Sequence, residues 1–216
     1  LKKADTLYLP MTEKEVQTKL LNELHFSQDA LYKLDTFCKE VLDYNKKFNL
    51  IGKSTIENIW DRHILDSAQL VKFIKFSDGS SLSDLGSGAG FPGLVIAIFN
   101  DNAKFHVKLY EKSRVKIKFL RKVCEKLNIR AEIYENDYNS HNIDSTYVVS
   151  RAFKKLEEHI RISREIIKVN HKLIILKGRN AGEEIKKLNN DFNCSYSLEN
   201  SITSPDSKIV IIDIKK

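Results

Sequence analysis

The chain has 216 residues, 42% of them hydrophobic and 30% charged, which fits one domain, or a domain with an appendage, and a full core. No apolar run approaches the roughly 20 residues that span a bilayer, and no charged-then-apolar leader is read, so neither a membrane protein nor an exported one is expected. Cys38, Cys124 and Cys194 are odd in number and far apart, which excludes a disulfide framework and a zinc pattern and points to reduced thiols in a cytoplasm. The formal net charge of +7 is compatible with ordinary surface solvation or with a polyanionic partner. Its distribution is uneven, because lysines and arginines crowd residues 104–130.

In chain order, "TEKEVQTKLLNEL" opens with Thr12 and Glu15 at capping-box spacing and repeats Val16, Leu20 and Leu24, which predicts a helix. "SQDALYKLDTFCKEVLDYNKKF" predicts a second helix starting at Ser27. "NIWDRHILDSAQLVKFI" predicts a third, amphipathic one, with Ile64, Leu65, Ala68, Leu70 and Val71 at helical spacing. Residues 1–78 therefore read as an all-helical amino-terminal extension.

From Ser81 the rhythm changes. "SLSDL", "FHVKLYE", "AEIYE", "TYVVS", "KLIILK", "SYSLEN" and "KIVIIDI" read as strands. Helical patterns over 92–99, 113–128, 156–169 and 182–190, with a short piece near Asn139, alternate with the first of them. Residues 79–216 thus predict an α/β core with a mostly parallel sheet covered on both faces. The last two strands, joined only by "NSITSPDS", predict an antiparallel hairpin closing the sheet.

The stretch "LSDLGSGAGFPGLVIAIF" packs four glycines into residues 86–93, between a strand end and a helix start. There the backbone N–H groups and the helix dipole face a ligand, and Pro92 suits the first helical turn. A plain tight turn needs only one or two glycines. Two frames fit. Gly88, Gly90 and Gly93 satisfy the dinucleotide pattern G-x-G-x-x-G. Asp84, Gly86, Gly88 and Gly90 satisfy D-x-G-x-G-x-G, the loop of S-adenosylmethionine methyltransferases. In that loop the acid can hold the cofactor's cationic end directly or through water. Both frames want an acid at the second strand's tip for ribose hydroxyls, and Glu111 stands there. Asp84 and the terminal hairpin favour S-adenosylmethionine over a nicotinamide cofactor.

Further candidates follow along the chain. "KSRVKIKFLRKVCEKL" buries Ile117, Leu120, Val123, Cys124 and Leu127. Lys116, Lys118, Arg121, Lys122 and Lys126 lie off that stripe, as a solvated face or as contacts for RNA phosphates. Asn136 and Asp137, after the third strand, suit the exocyclic amine of adenine, or are ordinary loop residues. The fourth strand ends in "VVSRAF". Neither an Asn-Pro-Pro-Tyr tip for amine methylation nor a cysteine for attack on a pyrimidine carbon is present. Arg151 and Phe153 offer a cation and a stacking ring, suited to an electron-rich ring nitrogen, although Phe153 equally fits a core position. Lys177 and Arg179 in "LKGR" can hold phosphate or simply face solvent. Arg62 and His63 can contact RNA, while Arg62 and Asp66, one turn apart, can form a structural salt bridge. No His/Cys/Asp cluster suggests a metal, and nothing demands more than a monomer.

Taken together, "FNLIG", "RHILDS", "DLGSGAGFPG", the acid followed by "KIKFL", "VVSRAF" and "LKG" resemble the bacterial ribosomal RNA small subunit methyltransferase G family, also called glucose-inhibited division protein B. The resemblance covers roughly residues 40–180. It implies a class I, Rossmann-like methyltransferase with a seven-stranded, mostly parallel sheet and an antiparallel carboxy-terminal strand. It further implies methylation of guanine N7 in 16S ribosomal RNA, free or in the small subunit, with cofactor positions at Gly86, Phe91, Asn136, Asp137 and Arg151. The chain departs from the family at "ENDY", where Arg-Ala-Glu-Glu is common, and at Val115-Lys116, where a basic pair is common. The remaining alternatives are a nicotinamide-dependent oxidoreductase and an RNA-binding assembly factor without turnover.

Overall fold

The computed structural model describes residues 9–151, 154–188 and 194–216. Helix α1 (Glu13–Asn22) begins at Thr12, whose side chain accepts from the Glu15 N–H while the Glu15 carboxylate accepts from the Thr12 N–H at 2.8 Å. This is the capping box its spacing predicts. Helix α2 (Gln28–Asn45) is capped by Ser27 and buries Leu34, Phe37 and Val41 along one side.

The third helical segment departs from expectation. It is a π turn (Trp60–Leu65), a short helix α3 (Asp66–Ala68) and a 3₁₀ turn (Gln69–Phe73) in succession. Rather than presenting one apolar stripe, it is buried nearly all round, Asp61, His63, Ser67 and Gln69 included. It packs against α1 and α4, and His63, Asp66 and Gln69 find hydrogen-bond partners, whereas Ser67 Oγ is buried with none among the described residues.

The sheet holds β1 (Ser81–Leu85), β2 (His106–Glu111), β3 (Glu132–Glu135), β4 (Tyr147–Arg151), β5 (His171–Lys177), β6 (Ser195–Asn200) and β7 (Lys208–Ile214). Their order is β3-β2-β1-β4-β5-β7-β6. The first five are parallel, and β7 pairs antiparallel with both β5 and β6, as the missing helix between the last two strands predicts. The connections run outward from β1 in one direction and from β4 in the other, which opens a crevice at the carboxyl ends of these two strands.

Helices α4 (Gly93–Phe99) and α5 (Arg114–Leu127) cover one face together with the amino-terminal helices. One apolar cluster there runs from Val16 and Phe37 through Leu94 and Phe119 to Ile174. Phe119 on α5, absent from the predicted stripe, is fully buried against Phe37 and Tyr44, and Cys124 is only half-buried. Helices α6 (Leu156–Ile166) and α7 (Ala181–Lys186) cover the other face. Helix α6 stops earlier than its pattern predicts because β-branched Ile167 turns extended and bridges Ile143 in parallel. Helix α7 is also shorter than expected, and residues 189–190 of its predicted span lie outside the described residues. Among the described residues no helix is long and apolar enough to cross a membrane.

Candidate active site

The glycine loop connects β1 to α4, and its glycines serve different ends. A Cβ on Gly90 would lie 2.6 Å from Leu94 Cδ1, and one on Gly93 would lie 2.4 Å from Leu109 Cδ2 and 2.6 Å from Asp84 Oδ2. These two positions are bare so that the protein can pack against itself. Gly86, Gly88 and Gly90 adopt positive φ, +76°, +59° and +100°. At Gly88 an added Cβ would meet nothing closer than the Gly86 carbonyl oxygen at 3.8 Å. Here the backbone faces open space.

Asp84 sits beneath this loop, 1% exposed, and Oδ2 accepts from the Gly93 N–H at 2.9 Å. Asp84 Oδ2 and the Gly93 N–H, the first of α4, are thus paired with each other inside the protein. Pro92, after a cis peptide bond, precedes α4 rather than forming its first turn. Among the described residues Asp84 Oδ1 is buried with no hydrogen-bond partner. Burial pushes the carboxyl up to about 7, against the Gly93 N–H and the Arg151 charge.

Below about pH 4 this carboxyl is protonated in folded and unfolded chains alike. As pH rises toward 7 the unfolded chain loses the proton first, so the Asp84 contribution to stability is progressively lost over that window. Asp84→Asn keeps an acceptor for the Gly93 N–H and removes the charge. We expect it to be more stable than the parent at pH 8 and no more stable at pH 4. Urea midpoints at the two pH values check this, and parallel shifts would show that Asp84 ionises normally.

Beside the loop, Gly86, Tyr110, Glu111, Asn136, Asp137 and Lys154 line a cleft of about 330 Å³. Glu111 ends β2, as predicted, and holds the loop in shape. Its Oε2 accepts from the Gly88 N–H and its Oε1 from the Ser113 N–H, both at 2.8 Å. Asn136 adopts φ +75°, which turns the chain after β3, and Asp137 caps the following 3₁₀ turn through the Asn139 N–H. Lys116, on the first turn of α5, reaches the same cleft.

A second pocket, about 310 Å³, is lined by Thr55, Arg62, His63, Asp66, Arg151 and Lys177, among others. Arg151, at the tip of β4, is central to it. Its Nη1 donates to His63 Nδ1 at 2.7 Å, and its guanidinium lies 5.5 Å from the Phe91 ring centroid. Because Nδ1 accepts, the imidazole proton is on Nε2, which donates to Thr55 Oγ1 at 2.7 Å. That hydroxyl donates in turn to the Gly52 carbonyl at 2.8 Å. Burial and the charges of Arg151 and Arg62 push His63 down to about 3, so it stays neutral. Burial likewise lowers the Arg151 guanidinium from its usual value, opposed by Asp66 and Asp84. Phe91, 3% exposed, packs between Phe37 and His63.

Other candidates fall differently. Arg62 is exposed and forms no ion pair with Asp66. Asp66 Oδ1 accepts instead from Thr203 Oγ1 at 2.9 Å and from Gln69 Nε2 at 3.1 Å. Gln69 also binds Ser201 and the Ile202 N–H, so the segment "RHILDS" and its neighbour anchor the loop between β6 and β7. Lys177 is buried, pairing with Glu184 at 2.8 Å and donating to the Lys154 carbonyl at 2.9 Å. Arg179 pairs with Asp206, and Arg121 with Glu135. Lys122 and Lys126 both bind Glu40 of α2. Phe153 lies outside the described residues. Among those described, no group of three or more His, Cys, Asp or Glu can hold a metal ion.

A model of the family described as "GidB: rRNA small subunit methyltransferase G" matches residues 30–210. The chain belongs to this family. It is 34% identical over 202 residues, 91% of this chain and 93% of the relative, to the ribosomal RNA small subunit methyltransferase G of Pelagibacter ubique. It is 37% identical to that of Rickettsia felis, over 85% of this chain and 93% of the relative. Among solved structures, a SAM-dependent methyltransferase from Aquifex aeolicus shares the fold, with a TM-score of 0.56, 15% identity, and coverage of 79% of this chain and 97% of that one. As a GidB family member the chain is a class I methyltransferase, and the oxidoreductase alternative is set aside. The glycine frame that matters is the one containing Asp84, with Gly93 bare for packing. Of the site, Thr55, which carries no motif, escaped the sequence reading, and Asp66 entered it only as a partner for Arg62.

Proposed function

We propose that this chain methylates N7 of a guanine in 16S ribosomal RNA, acting as a monomer in the cytoplasm with S-adenosylmethionine as methyl donor. Its family fixes the coarser statement, an S-adenosylmethionine-dependent methyltransferase of small-subunit ribosomal RNA. The residues fit that cofactor. Gly86 is exposed and Gly88 has room beside its Cα, Asp84 keeps an oxygen buried beneath the loop with no partner among the described residues, and carboxylates line the adjoining cleft. In this reading Glu111 binds the ribose hydroxyls, Asn136 and Asp137 bind the adenine edge, and Gly86 passes close to the ligand. When bound, the cofactor supplies a methyl group already activated by its sulfonium sulfur.

The observation that carries N7 is the Arg151–His63 pair. The guanidinium presents donors at the β4 tip, which suits guanine O6 beside an N7 whose lone pair stays free to attack, over an edge ending in an amine. The His63 lone pair is already used, so the histidine is not a base, and N7 has no proton to lose. The chain's own contribution is orientation and charge placement in a shielded pocket. Incorporating labelled methyl into small-subunit RNA, followed by chain cleavage specific for N7-methylguanine, tests the proposal. Label without cleavage would overturn it.

The basic face of α5 divides under the same assay. Lys118 is exposed and enters no ion pair among the described residues, whereas Lys122 is held by Glu40. We expect Lys118→Glu to weaken RNA binding and lower the salt slope by about one. Lys122→Glu places two carboxylates together and lowers thermal stability by about 1 kcal/mol. Filter binding across a salt series and thermal melts separate the two, and equal effects on RNA would return Lys122 to the interface.

A further inference from the structure

The second pocket has a feature that methyl transfer to N7 does not itself require. Asp66 and Arg151 both line it, yet no ion pair joins them among the described residues. Two acids act on the Arg151 guanidinium. It interacts electrostatically with Asp84 under the glycine loop and with Asp66 across the pocket. The pocket thus presents both a guanidinium, at the tip of the strand paired with β1, and a carboxylate. The edge of guanine carries groups complementary to these two: beside N7 lies the acceptor O6, then the donors N1–H and the N2 amine.

We infer that Asp66 reads guanine, its carboxylate accepting from N1–H and the N2 amine while Arg151 donates to O6. The inference rests on the proposed methylation of guanine N7 and adds the base-reading group. Asp66 is held for this task. Both of its side-chain hydrogen bonds, from Thr203 and Gln69, go to Oδ1, and Oδ2 accepts none among the described residues. Burial pushes the carboxyl up, while Arg151, the Thr203 hydroxyl and Arg62 favour its ionised, accepting form. Adenine is mismatched twice, because its amine would meet the guanidinium and its N1 lone pair would meet the carboxylate. Charged groups left unpaired in this way reject the wrong base more strongly than a shape difference does.

The test replaces the guanosine, once located by N7-specific cleavage of the product of the unaltered enzyme, with inosine, which keeps N7, O6 and N1–H and lacks the N2 amine. The unaltered enzyme should methylate the inosine RNA roughly tenfold less efficiently. Asp66→Ala should lose roughly tenfold or more on guanosine RNA but show no further loss on inosine. Asp66→Asn keeps an acceptor for Thr203 and turns an amide donor toward the base, so it should treat inosine as well as guanosine or better. Thr203→Val, which loosens the anchor without touching the base, should slow both RNAs alike. If the unaltered enzyme methylates both RNAs equally, or the Asp66 variants lose the same factor on each, Asp66 is only a loop anchor. If no N7 cleavage appears even with guanosine, the reading of the reaction itself falls.

Discussion

Arg151→Lys lowers methyl transfer about a hundredfold while shifting the melting temperature by only a few degrees. The lysine retains the positive charge that Asp66 and Asp84 need, so the cluster remains electrically balanced. It loses the planar fork. In the structure one arm of that fork donates to His63 Nδ1 at 2.7 Å, and the imidazole is fixed in turn by Thr55. A guanidinium tied at one arm can present the other to a base in a constant geometry, whereas an ammonium on a flexible stem cannot. Labelled-methyl turnover and a thermal melt of the same preparation decide the matter. Turnover at the parent rate would show that charge alone is required and that the His63–Thr55 relay is structural.

The glycine loop gives the second large effect, and it separates stability from binding. Gly93→Ala should cost about 3 kcal/mol of stability, roughly 10 °C in melting temperature for a chain of this size. Its new methyl group would stand 2.4 Å from Leu109 and 2.6 Å from the Asp84 carboxylate, and the Asp84–Gly93 hydrogen bond would be lost as they part. Gly88→Val should cost less, about 1–2 kcal/mol, because the strain there is only that of a side chain at φ +59°. Yet it should reduce affinity for S-adenosylmethionine at least a hundredfold, since the loop's open side would be filled. Calorimetric titration with the cofactor and melts of both variants check the contrast. Unchanged affinity in Gly88→Val would remove the open side of the loop from the cofactor site.

Much of the architecture was legible because it is locally encoded. Thr12 and Glu15 announce a helix start at a fixed spacing, β-branched runs such as "KIVIIDI" announce buried strands, and the absence of a helix before the last strand predicts the antiparallel closure. Glu111 could be placed because the end of a strand is readable and the adjoining frame requires an acid there. Charge was legible far less well. Lys122 and Lys126 sit on the polar side of an amphipathic pattern whether they meet RNA, water or Glu40, and the pairing with Glu40 spans 82 and 86 residues. Lys177 looks like a surface cation beside a glycine until Glu184 and the Lys154 carbonyl are seen to enclose it.

The sequence by itself determined the order of strands and helices, the position of the glycine loop and the family, because these depend on periodicity and on contiguous motifs. Only the tertiary structure decided which glycines are bare for packing and which for access, that Asp84 lies under the loop, and that Asp66 is anchored to Thr203 rather than to Arg62. The Arg151–His63 contact joins residues 88 apart and the Asp66–Thr203 contact residues 137 apart. Such pairings are set by which strand tips and helix turns the parallel sheet brings to one crevice, and no local pattern in the chain records them.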